Sequence, residues 1–194
     1  MRRREALGLL AASLPLSAAR AEDKPWHDID VTGASPSLDF TMQATPEGQT
    51  VFPASYIGFV TMLYFGYTFC PDVCPTDLMA ITQALDALGP AAADVQPIFI
   101  TIDPERDTKV LADYVAAFHR SFVGLTGSPD EIRKVANSYK AFYAKVPGER
   151  GGEYSIDHAG VIYLMGRNGE YLGFMPPQTG PDRLSEILRK YLAN

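Results

Sequence analysis

The chain has 194 residues, 46% of them hydrophobic and 21% charged, proportions that exclude a disordered, fibrous or repeat architecture and suit one domain with a full core. Its formal net charge is −6, and an acidic surface repels phosphate backbones, which excludes nucleic acid as the expected partner. There are only two cysteines, and a bridge closing the short loop between them would constrain the unfolded chain little, so stability is a poor reason for these thiols.

Arg2, Arg3 and Arg4 precede a nearly continuous apolar run from Ala6 to Leu16, and Ala19-Arg20-Ala21 supplies an A-x-A cleavage pattern. Residues 1–21 are therefore expected to be a cleaved signal peptide. The apolar run falls short of the roughly 20 residues that span a bilayer, so an uncleaved membrane anchor is the lesser expectation. The arginine run also permits twin-arginine export beside the general route. Loss of this segment takes away four Arg and one Glu and deepens the net charge to about −9. The mature protein is expected in the periplasm, as a monomer.

Residues 22–37 read as an extended lead-in, and residues 38–194 as the folded domain. Leu38 to Met42 alternates like a half-buried strand, and Glu47-Gly48 reads as a turn before a second short strand. Phe59 to Phe65 is an apolar run of strand length, the pattern of a strand covered on both faces. Leu78, Ile81, Leu85 and Leu88 recur at helical spacing until Gly89. Gln96 to Ile102 is a second buried strand, and a helix carrying Leu111, Tyr114, Val115 and Phe118 follows.

Ser128-Pro129-Asp130-Glu131 has the cap serine, the proline at the first helical position and the glutamate of a capping box, and Ile132, Val135, Ala136 and Tyr139 continue that helix's apolar face. Val146 to Glu153, rich in glycine and charge, is expected to be a mobile loop. Asn168-Gly169 predicts a tight hairpin between Val161–Met165 and Glu170–Phe174. The last helix starts near Pro181 and buries Leu184, Ile187, Leu188 and Tyr191. The order β-α-β-α-(α)-β-β-α predicts an α/β, thioredoxin-like fold: a mixed central sheet with helices on both faces, extra N-terminal strands and an inserted helix.

Cys70-Pro71-Asp72-Val73-Cys74-Pro75 lies between a buried strand and a helix, where ligands bind open α/β sheets. Pro75 disfavours helical geometry at Cys74 and suits the first helical position, which predicts Cys74 as the capping residue. Both sulfurs would then face the positive end of the helix dipole, which favours thiolate. Thiolates select Cu(I), zinc or iron–sulfur clusters. Clusters and structural zinc each ask for about four protein ligands, whereas two sulfurs and one nitrogen suit Cu(I) and accept Cu(II) with an added oxygen.

Of three histidines, His27 lies in the lead-in and His119 near a helix C-terminus, where ordinary roles suffice. His158 precedes the Val161 strand and could face the cysteines, although a plain surface histidine in a loop is equally readable from its position. Met62, Met79, Met165 and Met175 fall on apolar patterns and are expected in the core. Asp107 is expected to cap the following helix. The cysteine pair could instead perform thiol–disulfide chemistry, but oxidoreductases of this fold are read from C-x-x-C, and here three residues separate the thiols.

The segment Tyr64-Phe65-Gly66-Tyr67-Thr68-Phe69-Cys70-Pro71-Asp72-Val73-Cys74-Pro75 resembles the signature of the Sco/SenC copper-chaperone family. Phe99 to Thr108, Gly124-Leu125-Thr126-Gly127 and Asp157-His158 follow in the order of that family's further blocks. The resemblance implies one copper ion, Cu(I) or Cu(II), per chain, held by Cys70, Cys74 and His158, with Asp72 and Asp157 either orienting ligands and tuning charge or simply forming turns. It further implies a metallochaperone, not an enzyme, that serves the binuclear copper centre of cytochrome c oxidase subunit II or another copper enzyme, with a periplasmic copper donor as a further partner. The alternatives are a thiol–disulfide oxidoreductase using Cys70 and Cys74 as its redox pair, or a redox or copper sensor. Two departures stand out: many relatives carry a transmembrane tether, and a lysine common before the first buried strand is replaced by Gly58-Phe59 here.

Overall fold

The computed structural model describes residues 36, 40–45, 48–148 and 153–193. The expected signal segment, His27 and most of the expected lead-in lie outside them, as does the middle of the expected loop between Val146 and Glu153. In chain order the elements are β1 (Met42–Ala44), β2 (Gln49–Val51), β3 (Val60–Gly66), α1 (Val73–Leu88), β4 (Val95–Thr101), α2 (Pro104–Asp107), α3 (Leu111–Ala116), β5 (Val123–Thr126), α4 (Pro129–Ser138), β6 (Tyr143–Val146), β7 (Ser155–His158), β8 (Ile162–Met165), β9 (Tyr171–Met175) and α5 (Pro181–Leu192). No helix among the described residues is long and apolar enough to cross a membrane.

Seven strands form one sheet in the order β2-β1-β5-β4-β3-β8-β9. The β3–β4 and β4–β5 pairs are parallel, whereas β1–β2, β1–β5, β3–β8 and β8–β9 are antiparallel. β3 is buried at every position, which is why its sequence is a continuous apolar run without alternation. Its side chains still alternate in direction. Val60, Met62 and Tyr64 pack with Leu78, Ile81 and Leu85 of α1, Leu111 and Val115 of α3, and Leu184, Ile187 and Leu188 of α5. Leu63 and Phe65 point the other way, to Ile132, Val135 and Ala136 of α4 and to Ile156 of β7. The sheet is thus covered by helices on both faces, and the fold is thioredoxin-like as expected.

Local chemistry fixes the ends of the elements. Gly89 closes α1 at φ 58°, a left-handed conformation that glycine adopts without penalty. Ser128 caps α4: its hydroxyl accepts from the Glu131 N–H at 3.3 Å, and the Glu131 carboxylate accepts from the Ser128 N–H at 2.7 Å. Gly169, at φ 80°, turns the β8–β9 hairpin.

Several expectations need correction. The first strand is Met42–Ala44, later than Leu38–Met42, because its partners are the Gln49–Val51 strand and β5. β5 and the antiparallel ribbon β6–β7 were not expected as strands. Met62, Met165 and Met175 are buried, but Met79 is 45% exposed, since it lies off the face of α1 that Leu78, Ile81 and Leu85 bury. Asp107 does not cap α3, whose N-cap is Val110; it is fully buried and has another task.

Candidate metal centre

β3 delivers the chain to Gly66 at the C-terminal edge of the sheet, where the backbone turns through Tyr67–Asp72 into α1. A Cβ at Gly66 would stand 2.9 Å from the Cys74 sulfur and 2.9 Å from the Phe99 ring, so only glycine lets the strand end this close to the thiol. The Cys70 N–H donates to the Tyr67 carbonyl at 3.2 Å, tightening the turn. Buried Asp107 holds the same turn from beneath. It accepts from the Thr68 N–H at 3.1 Å, the Thr68 hydroxyl at 2.7 Å and the Thr101 hydroxyl at 2.6 Å.

The cap of α1 is Asp72, not Cys74. Val73, Cys74 and Pro75 are its first helical residues, so Pro75 still lies in the first turn, where a missing N–H costs no helix hydrogen bond. The consequence is that Cys74 points inward from the first turn and is fully buried, whereas Cys70 stays half-exposed at the rim. The Cys74 N–H donates to the Cys70 sulfur at 3.4 Å.

His158 arrives from the other side. It closes β7 instead of standing in a loop, paired with Tyr143 across the ribbon. Its Nε2 lies 3.2 Å from the Cys74 sulfur and 3.7 Å from the Cys70 sulfur. The ligand atoms of Cys70, Cys74 and His158 all lie within 4.8 Å of one another. The rings of Tyr64 and Tyr67 meet the imidazole edge-on, with centroids 6.1 Å and 5.9 Å away. The Gly160 N–H donates to Nδ1 at 3.2 Å, which leaves the proton of the neutral ring on Nε2, facing the sulfurs.

The environment splits the two thiols. The adjacent Cys74 thiol lowers the Cys70 pKa to about 4, with His158 and the N–H groups of Asp72 and Cys74 adding to the effect and burial opposing it. Burial, and then the neighbouring Cys70, push the Cys74 thiol far up. At neutral pH the pair is one thiolate and one thiol. Asp77, three residues into the helix from Cys74, is fully buried. Burial raises its pKa to about 6, while the Tyr64 hydroxyl donates to it at 3.1 Å and the Gln178 N–H at 2.7 Å. Tyr64 therefore links a buried carboxylate to the imidazole.

The structure brings together Cys70, Cys74 and His158. Asp72 and Asp157 stand beside them in sequence but are exposed, and no hydrogen bond ties either carboxylate to a ligand among the described residues. His119 is elsewhere, bonded to Ser121. Sequence reasoning missed Tyr64, Tyr67 and Asp77 at the site. Asp77 carried a legible signal, a charged residue on the apolar face that Cys74, Leu78 and Ile81 define.

Fold and site together define a class: a thioredoxin-like protein with two thiols and an imidazole converging at the edge of its sheet. The SCO1/SenC family profile matches residues 34–193, and the chain belongs to that family. It is 41% identical to the SCO2-like protein of Rickettsia conorii over 134 residues, which are 68% of this chain and 65% of that relative. The chain thus spans just under two thirds of that relative's length. Among solved structures it resembles Arabidopsis thaliana ScoI with copper bound, at TM-score 0.73 and 37% identity over 79% of this chain and 96% of the other. It also resembles BsSco, a member of the Sco family of cytochrome c oxidase assembly proteins with a disulfide switch, at TM-score 0.62 and 27% identity over 79% and 91% of the two chains.

Proposed function

We propose that this protein is a copper metallochaperone: Cys70, Cys74 and His158 bind one copper ion and hand it to the binuclear copper centre of cytochrome c oxidase subunit II, in the periplasm, after removal of residues 1–21. The observation that carries the reading is the convergence of two sulfurs and one Nε2 within 4.8 Å. Such a set suits a soft ion and is too small for a closed four-ligand zinc site. The resemblance to a copper-loaded ScoI supports it further.

Each residue has a task that follows from its surroundings. Cys70, ionised and half-exposed, meets the incoming ion first. Buried Cys74 gives up its proton as the second sulfur closes on the metal. His158 completes the set through Nε2 as a neutral imidazole, its ring proton moving to Nδ1 with no net proton released. Asp72 and Asp157 add negative charge at the rim of the site. The open edge at Cys70 is where an incoming ligand of the acceptor would displace a donor.

A specific observation favours a second reading. A low-pKa, accessible thiolate beside a buried thiol is also the arrangement for thiol–disulfide exchange. Cys70 would attack a target disulfide to form a mixed disulfide. Cys74, losing its proton, would then attack Cys70, release the target's two thiols and leave a Cys70–Cys74 disulfide, two electrons having passed to the target. Copper titration of the reduced protein and of its His158→Ala and Cys74→Ser variants separates the readings. Chaperone function requires both variants to bind copper at least about tenfold more weakly, and unchanged affinity in both would sink it. Full activity of His158→Ala in reducing a target disulfide, with copper affinity unaffected, would favour the oxidoreductase.

A further inference from the structure

His158 hangs on a ribbon that shares no backbone ladder with the main sheet, so something else must set its distance from the sulfurs. The contacts converge on α2. The Arg106 Nε pairs with fully buried Asp103, and its Nη1 donates to the Tyr154 carbonyl at 3.0 Å. The guanidinium carbon lies 3.8 Å from the Tyr154 ring centroid and 5.0 Å from that of Phe69, the residue before Cys70. The Tyr154 hydroxyl donates to Asp103 at 2.8 Å. One arginine is thus stacked between the cysteine turn and the residue that leads into β7. Its aspartate closes the ring of contacts, and Tyr154 stands four residues before His158.

We propose that Arg106 and Tyr154 are positioning residues that fix the start of β7 against the cysteine turn, set how closely the His158 imidazole stands to the two sulfurs, and so govern how fast bound copper leaves. This rests on the copper reading above. The same short segment then serves both ligand-bearing segments: Asp107 holds the cysteine turn through Thr68, while Asp103 and Arg106 hold the histidine strand through Tyr154. The stack confers rigidity without a continuous sheet, since a guanidinium between aromatic faces resists displacement in two directions. Because no backbone ladder makes the connection, it can yield when an acceptor docks beside Phe69, which is 52% exposed.

The test is a double-mutant cycle on the rate at which the copper-loaded protein loses its metal to excess chelator. Tyr154→Ala is expected to speed the loss roughly 10- to 100-fold, the usual cost of removing a group that orients a metal ligand. In a His158→Ala background it is expected to add nothing further. Tyr154→Phe, which keeps the ring on the guanidinium, is expected to recover most of the wild-type rate. Should Tyr154→Ala fail to fold, Arg106→Lys makes the same test, keeping the charge beside Asp103 while losing the stack and the bond to the Tyr154 carbonyl. Equal acceleration in both backgrounds would show a merely structural role and overturn the proposal. So would no acceleration in a protein whose His158→Ala variant does lose copper faster. If His158→Ala itself changes nothing, it is the copper reading that falls, and the clamp with it.

Discussion

Cys70 and Cys74 share a turn, yet one thiol is drawn down to a pKa of about 4 and the other is pushed far up by burial. The difference follows from one backbone decision, the start of α1 at Asp72, which turns Cys74 into the core and leaves Cys70 among N–H donors at the rim. Metal capture by the reduced protein must therefore displace one thiol proton, that of Cys74. Copper affinity is expected to rise about tenfold for each pH unit above neutrality, as read by chelator competition. A flat profile would mean both thiols are already ionised, and a hundredfold change per unit would mean neither is. The cysteines themselves were plain in the sequence, but the expectation that the helix N-terminus favours thiolate at both holds only for Cys70, since burial keeps Cys74 a thiol. Their inequality was not legible there, because it depends on which residue caps the helix. Pro75 pointed to Cys74 as the cap, and the chain places the proline two positions deeper, where the first turn tolerates it.

Among the elements, those that bury a face announced themselves and the ribbon carrying His158 did not. β3 and β4 are buried along nearly their whole length, and α4 carries its cap and apolar face in consecutive residues, so local pattern was enough. β6 and β7 are four residues each, and in β7 only Ile156 is buried. Period-2 alternation has almost nothing to act on there. The ribbon is held instead by distant side chains: the Tyr67 hydroxyl accepts from the Ile156 N–H at 3.3 Å, and Arg106 grips Tyr154. Such long-range contacts leave no local trace in sequence. The end of β3 yields a prediction of its own. Gly66→Ala would force a methyl group against the Cys74 sulfur and the Phe99 ring, so it is expected to destabilise the reduced apoprotein by about 1–3 kcal/mol, the usual cost of overpacking, and to weaken copper binding. Denaturant unfolding reads the first effect, and an unchanged midpoint would contradict the close approach.

At the scale of the whole molecule, the sheet acts as a rigid plate whose C-terminal edge carries the site. Helices α1, α3 and α5 cover one face, while α4 and the ribbon cover the other. The two cysteines enter from the first layer and the histidine from the second, so the site straddles the edge of the sheet and depends on both layers being in place. That division also explains what could be read in advance: each ligand was visible in sequence, but their meeting is a property of the two-layer fold, and for His158 it was the resemblance to Sco/SenC proteins that singled out the residue. The central claim is that all three side chains bind the same ion, and X-ray absorption of the protein loaded with one equivalent of Cu(I) tests it most directly. Two sulfur donors and one imidazole are expected around the copper, with the imidazole scattering lost in His158→Ala. A copper bound by sulfur alone in the wild-type protein, or a spectrum unchanged by removing His158, would contradict it.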